Sequence, residues 1–291
     1  MTSDASAPTE FSYTDAHGIE IFAYEWRAKH PHAVVQIAHG VGEHALRYAR
    51  FAEALVAAGF SVVADDHRGH GRTGLTQWDG DHAQLGKLGP GGLRAAEAAV
   101  LQLTGIVRER DPELPVIMFA HSWGSLMAQR ILNREPHAWD ALVLSGSAYR
   151  TVGDMESGDL NRAWRDDDPT GGFAWLSRDL KVGHAFAADP LCFAADIMKL
   201  WGVADALRLA GTPAKGLDPA LPLLIASGSE DPLSRKDSIR KLAEAYRRRG
   251  LRDVTLRIYP EARHEILNET NQEQITVDIL TWLLERFPRD E

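Results

Sequence analysis

Apolar and polar positions along the chain alternate between short strand-like runs and longer helical stripes. Ala33–His39, Ser61–Asp66, Pro115–His121, Ala141–Gly146, Leu221–Ser227 and Val254–Tyr259 are mostly apolar runs of strand length. Gly18–Trp26 alternates Ile19, Ile21 and Ala23 with Glu20, Phe22 and Tyr24 without a clean polar face, which predicts an early antiparallel strand. Arg47–Ala58 places Tyr48, Phe51, Leu55 and Val56 on one helical stripe, and Gly59 supplies a left-handed stop. Gly91–Arg110 repeats Leu93, Ala96, Val100, Leu103 and Val107 at helical spacing, and Trp123–Asn133 and Arg235–Arg249 read as further helices. A last helix starts at Asn271, where Gln274 three residues on completes a capping-box pattern; it carries Ile275, Ile279, Trp282, Leu283 and Phe287 inward.

Strand–helix alternation of this kind predicts an α/β fold: a mostly parallel sheet with helices on both faces and ligands bound at the carboxyl ends of the strands. The alternation breaks over residues 147–212, a stretch rich in Gly, Asp and Trp and too long for an ordinary connection. A mainly helical cap inserted into the catalytic domain is the expectation there. The domain would then comprise residues 11–146 and 213–291, after a short disordered lead over residues 1–10.

Composition narrows the function classes. A formal charge of −9 argues against non-specific nucleic-acid binding, which depends on basic patches that neutralise phosphates. The single cysteine, Cys192, excludes an intramolecular disulfide and a cysteine-clustered metal site, and it fits a cytoplasmic setting. The first ten residues have neither the basic start nor the apolar stretch of a secretory signal. No apolar run reaches the roughly 18 residues of a membrane span, which leaves peripheral membrane contact as the form of membrane association to consider.

The chemistry concentrates where strands end. Ala120-His-Ser-Trp-Gly124 joins the run Val116–Ala120 to the helix beginning at Trp123, and a serine on such a turn sits strained and exposed. Its plain alternative is an ordinary serine helix cap. A serine hydroxyl needs a base within reach and a carboxylate to fix that base's tautomer. Asp231 in Ser227-Gly-Ser-Glu-Asp-Pro232 and His264 after Val254–Tyr259 follow Ser122 in the chain order of the α/β-hydrolase fold, both at strand carboxyl ends. Glu230 is a rival for the carboxylate, and the charged neighbours Glu261, Arg263 and Glu265 would also suit a surface histidine at 264. For the oxyanion, the N–H of Trp123 and that of Val41 in His39-Gly-Val-Gly-Glu-His44 are the candidate donors, the latter segment being equally readable as a glycine turn. His39 with His44, or His67 with His70, form no metalloprotease pattern, and the glycines form no nucleotide fingerprint.

These segments, together with Arg47-Tyr48, Asp66-His-Arg-Gly-His-Gly-Arg-Thr73, Asp189-Pro-Leu191 and Tyr259-Pro-Glu-Ala-Arg-His-Glu265, resemble the monoacylglycerol lipase and lysophospholipase group from about Gly18 to Leu284. The resemblance implies the α/β-hydrolase fold, the triad Ser122, Asp231 and His264, oxyanion donors Val41 and Trp123, and a cap over an acyl-binding tunnel. It also implies a single-chain lipid ester as substrate, water as second nucleophile, and neither cofactor nor metal. Ala120 stands where the group has glycine and Trp123 where methionine is usual. Trp175 and Phe186 are the cap candidates for contact with an acyl chain, and peripheral contact of the cap with a membrane is an expectation of the same kind. A small-ester carboxylesterase and a non-catalytic ligand receptor remain the competing readings. An epoxide hydrolase or dehalogenase would carry aspartate at position 122.

Overall fold

The computed structural model describes residues 7–156 and 158–289. Eight strands form one sheet: β1 (Thr9–Thr14), β2 (Glu20–Trp26), β3 (Ala33–Ala38), β4 (Phe60–Asp65), β5 (Val116–His121), β6 (Ala141–Ser145), β7 (Leu223–Gly228) and β8 (Val254–Tyr259). Their order is β1-β2-β4-β3-β5-β6-β7-β8. The β1–β2 and β2–β4 pairs are antiparallel, and every pairing from β4 to β8 is parallel.

Eight α-helices accompany the strands among the described residues: α1 (Ala49–Ala57), α2 (Gly71–Gln77), α3 (Gly92–Arg110), α4 (Trp123–Leu132), α5 (Leu180–Ala188), α6 (Ile197–Arg208), α7 (Ser238–Arg248) and α8 (Gln272–Leu284). β3 to β7 are covered on both faces, which is why their sequences read as apolar runs without alternation. Successive residues point into two separate cores: Val116 and Met118 join α3, α4 and α7 on one side, while Ile117 and Phe119 join α1 and α8 on the other. Leu93, Ala96, Val100, Leu103 and Val107 are all buried, as their spacing predicts. Gly59 adopts φ +94° at the end of α1.

Several local expectations change. Residues 1–6 of the expected lead lie outside the described residues, but Thr9 and Glu10 already belong to β1, paired with Glu25 and Tyr24. The capping box before α8 does not form. Arg178 donates to the Asn271 side chain at 3.0 Å, and Gln274 turns along the helix to donate to Asp278 at 2.8 Å. Between β6 and β7 the described regular elements are helical: two short 3₁₀ turns, α5 and α6, the last broken at Gly202 by φ 74° and ψ 170°. Turns occupy much of the rest. Among the described residues no helix is long and apolar enough to cross a membrane.

Candidate active site

Because β3, β5, β7 and β8 run parallel, the loops that leave them meet at one edge of the sheet. β5 delivers Ser122, whose φ of 51° and ψ of −124° belong to neither strand nor helix. A non-glycine residue held there stores backbone strain, which persists because strand and helix are both packed in place. Gly124 allows the approach. A Cβ at that position would lie 2.3 Å from the Ala38 carbonyl oxygen and 2.6 Å from that of His39. Ala120, by contrast, fits its methyl into the core. Ser122 begins α4 without a side-chain cap bond, so its hydroxyl is free for another partner.

That partner is His264. Nε2 lies 2.8 Å from Ser122 Oγ, and Nδ1 lies 2.8 Å from Asp231 Oδ1. With Nδ1–H donating to the carboxylate, Nε2 keeps a lone pair to accept the serine proton. Asp231 Oδ1 also accepts the Leu233 N–H at 3.0 Å, while Glu230 is exposed to solvent. The imidazole is buried, which by itself disfavours its charged form, but the charge and hydrogen bond of Asp231, with Glu265 and Glu43 nearby, outweigh this and raise its pKa above the ordinary 6.5. The His121 ring lies tilted against it, with centroids 4.7 Å apart, and is pushed down to about 3 by burial and by His264 itself, so it stays neutral there.

The loop after β3 passes close to Ser122: a Cβ on Gly40 would lie 3.0 Å from the Ser122 Cβ. Among the described residues, the backbone N–H groups of Val41 and Trp123 donate to no protein acceptor, the state required of donors that await an oxyanion. Glu43 accepts the Gly40 N–H at 2.6 Å and the Tyr48 hydroxyl at 2.8 Å, and it pairs with Arg47. Arg47 reaches on to Glu265 and so links this loop to the one bearing His264. Glu43, Arg47, His121 and Glu265 all sit in motifs visible in the sequence, yet nothing in their spacing gives them these partners.

Residues between β6 and β7 touch both loops. The Phe193 N–H donates to the Gly42 carbonyl at 3.0 Å, and His44 meets Asp189 at 2.9 Å. Glu265 N–H donates to Leu176 at 2.8 Å. Trp175 lies with its ring 4.8 Å from that of His264. Phe186 is placed differently: it is buried against Phe173 at 4.7 Å and under the Arg47 guanidinium at 4.8 Å, which makes it a packing residue of the insertion. The Trp123 side chain is buried against Trp201 at 4.8 Å and His70 at 5.1 Å. His44, Asp189 and Cys192 bring ligand-type atoms within 4.8 Å of one another, but His44 and Asp189 already satisfy each other, and the second ring nitrogen of His44 lacks the partner a metal-binding imidazole needs.

Residues 29–271 match the family described as serine aminopeptidase, S33. A monoacylglycerol lipase of Mycolicibacterium smegmatis is 31% identical, with 96% of this chain and 98% of that protein covered. Among solved structures, a lipase in its open form is 28% identical with a TM-score of 0.79, covering 97% of this chain and 100% of that one. A thermostable carboxyl esterase from Bacillus coagulans, seen with glycerol, superposes with a TM-score of 0.81 at 24% identity, covering 96% of this chain and 99% of that one.

Proposed function

The chain belongs to the serine aminopeptidase, S33 family as a serine hydrolase of the α/β-hydrolase fold, and we propose that this member hydrolyses monoacylglycerols or similar single-chain esters at Ser122. It is an ester hydrolase, in keeping with its lipase and esterase relatives. The observation that carries the residue roles is the continuous Asp231–His264–Ser122 line, 2.8 Å at each joint. Ser122 Oγ attacks the ester carbonyl carbon as its proton passes to His264 Nε2, and Asp231 stabilises the resulting imidazolium. The oxyanion accepts hydrogen bonds from Val41 and Trp123 N–H, and the alcohol leaves with the proton from His264. Water then repeats the sequence on the acyl-enzyme.

Residues 147–212 act in this reading as a cap over the catalytic domain formed by residues 11–146 and 213–291. Trp175, beside His264, is the cap side chain best placed to meet a bound ester. The cap carries seven basic and ten acidic residues, and this negative balance favours uncharged head groups over anionic ones. On α6, Met198, Val203 and Leu207 are 48, 58 and 67% exposed, an apolar surface suited to peripheral contact with lipid.

The test is a hydrolysis panel of monoacylglycerols, lysophospholipids, short aryl esters and peptides, run beside Ser122→Ala at low and high salt. Monoacylglycerols should give the highest kcat/KM, and their lead over anionic lysophospholipids should shrink as salt screens the cap. Preference for a peptide, or activity that survives Ser122→Ala, overturns the proposal.

A further inference from the structure

Three buried histidines that the triad leaves unused, His39, His67 and His70, collect beside the loop after β3. His39 is fully buried, and its ring stacks on His67 with centroids 4.0 Å apart. Both of its nitrogens are engaged. Nδ1 lies 2.6 Å from the carbonyl oxygen of Gly40, and Nε2 lies 3.0 Å from the backbone nitrogen of His67. A carbonyl can only accept and a peptide N–H can only donate, so Nδ1 carries the proton and Nε2 the lone pair. The two partners thus select one form of the ring, the neutral Nδ1–H tautomer. Burial, reinforced by the neighbouring His67 and His70, holds its pKa well below the ordinary histidine range and acts in the same direction.

The oxygen that His39 grips belongs to the peptide unit joining Gly40 to Val41. In a planar trans peptide the C=O and the N–H point opposite ways, so fixing one fixes the other. The preceding peptide is fixed as well, because Gly40 N–H donates to Glu43 at 2.6 Å. Were the Gly40–Val41 unit to turn over, a carbonyl would replace a donor at the place where negative charge develops.

We infer that His39 is a positioning residue: by holding the Gly40 carbonyl it aims the Val41 N–H at the oxyanion. The inference rests on the proposed role of Val41 and adds the group that keeps that donor in place. His39 touches neither substrate nor reacting atom in this arrangement. It acts through the peptide plane.

Two substitutions separate the two nitrogens. His39→Asn keeps a donor near the place of Nδ1, whereas His39→Gln keeps a polar group near the place of Nε2 and has no donor for Gly40. Ester hydrolysis and phosphonylation by a fluorophosphonate probe are measured for both beside the wild type. His39→Gln should lower kcat by about 100-fold, the scale of one lost oxyanion donor, with KM changed by no more than about two-fold. His39→Asn should stay within about ten-fold of the wild type. The pH at which activity falls should be the same in all three proteins, since His264 is untouched. Equal losses in the two variants, a loss confined to KM, or a moved pH profile overturns the inference. Nitrogen-15 NMR of the wild-type ring tests it even if both variants fail to fold: His39 should remain the neutral Nδ1–H tautomer from roughly pH 5 to 9. Titration in that range, or the opposite tautomer, also overturns it. A wild type without esterase activity would instead overturn the proposed function, and the ring tautomer would still report on the His39 anchor.

Discussion

Arg47 holds Glu265 through two parallel contacts of 2.7 and 2.8 Å across 218 residues of sequence. Glu265 directly follows His264, so this pair ties the loop bearing His264 to the 3₁₀ turn that precedes α1. Burial alone would raise the Glu265 pKa, but Arg47 brings it below the ordinary 4.5. The folded value being the lower one, the stabilisation is complete above the unfolded pKa and is lost as pH falls through the folded one. Arg47→Ala leaves a buried carboxylate without its partner and should cost about 3–5 kcal/mol in urea unfolding at neutral pH, with a smaller difference from the wild type in acid. A loss under about 1 kcal/mol would show that solvent compensates Glu265 without Arg47.

Ser122→Ala and His264→Ala should each lower ester hydrolysis by orders of magnitude, because nucleophile and base act as a unit. The double variant should be little worse than either single one. Near-normal turnover by His264→Ala at neutral pH would exclude His264 as the base.

The raised pKa of His264 should set the acid limb of the rate profile. Only the neutral ring accepts the serine proton, so activity should fall as pH drops through a value above the ordinary 6.5. Asp231→Asn removes the charge that favours imidazolium, and any residual activity should have its limb shifted to lower pH. A wild-type rate that stays flat from mildly alkaline to acidic solution contradicts this assignment.

Gly124 and Ala120 should respond oppositely to a change of one methyl. Gly124→Ala drives a Cβ against two backbone carbonyls of the β3 end, which no rotamer change relieves. Chain yield, thermal midpoint and activity should all drop. Ala120→Gly removes a methyl from a packed strand and should cost only about 0.5–1 kcal/mol, with the active site kept.

Trp175 and Phe186 should likewise separate. Trp175→Ala removes the ring beside His264, and the ranking of ester chain lengths in kcat/KM should change. Phe186→Ala opens a cavity between Phe173 and Arg47 and should lower stability by about 3–5 kcal/mol without reordering chain lengths. Reordered preference in Phe186→Ala with unchanged stability would reverse the two roles.

What the sequence made legible follows from where periodicity and burial coincide. β3, β5 and α3 are buried strongly enough for their patterns to stand out, and Ser122, Asp231 and His264 come together as the order of strand ends requires. β1 was hidden because an edge strand is mostly solvent-facing and reads as polar. α2 was hidden because it starts at Gly71 and contains Gly74; its first turn is held by Asp66, which accepts the Arg72 N–H at 2.8 Å. The failed box at Asn271 has the same origin, since Arg178 lies 93 residues away in sequence. His39, Glu43, Arg47 and Glu265 were visible as motif letters, but their partners depend on loops that meet only after the sheet has assembled.

The strand order also carries a timetable. Translation delivers a chain from its amino end, and β5 with Ser122 can pair with β3 while much of the protein is still unmade. His264 has no such early scaffold, because its loop hangs from β8, the last of these eight strands in chain order and the far edge of the sheet. Ser122 and His264 are 142 residues apart, and while that stretch is being made the serine elbow lacks its histidine. Esterase competence therefore waits for the edge strand that carries residue 264 to residue 122.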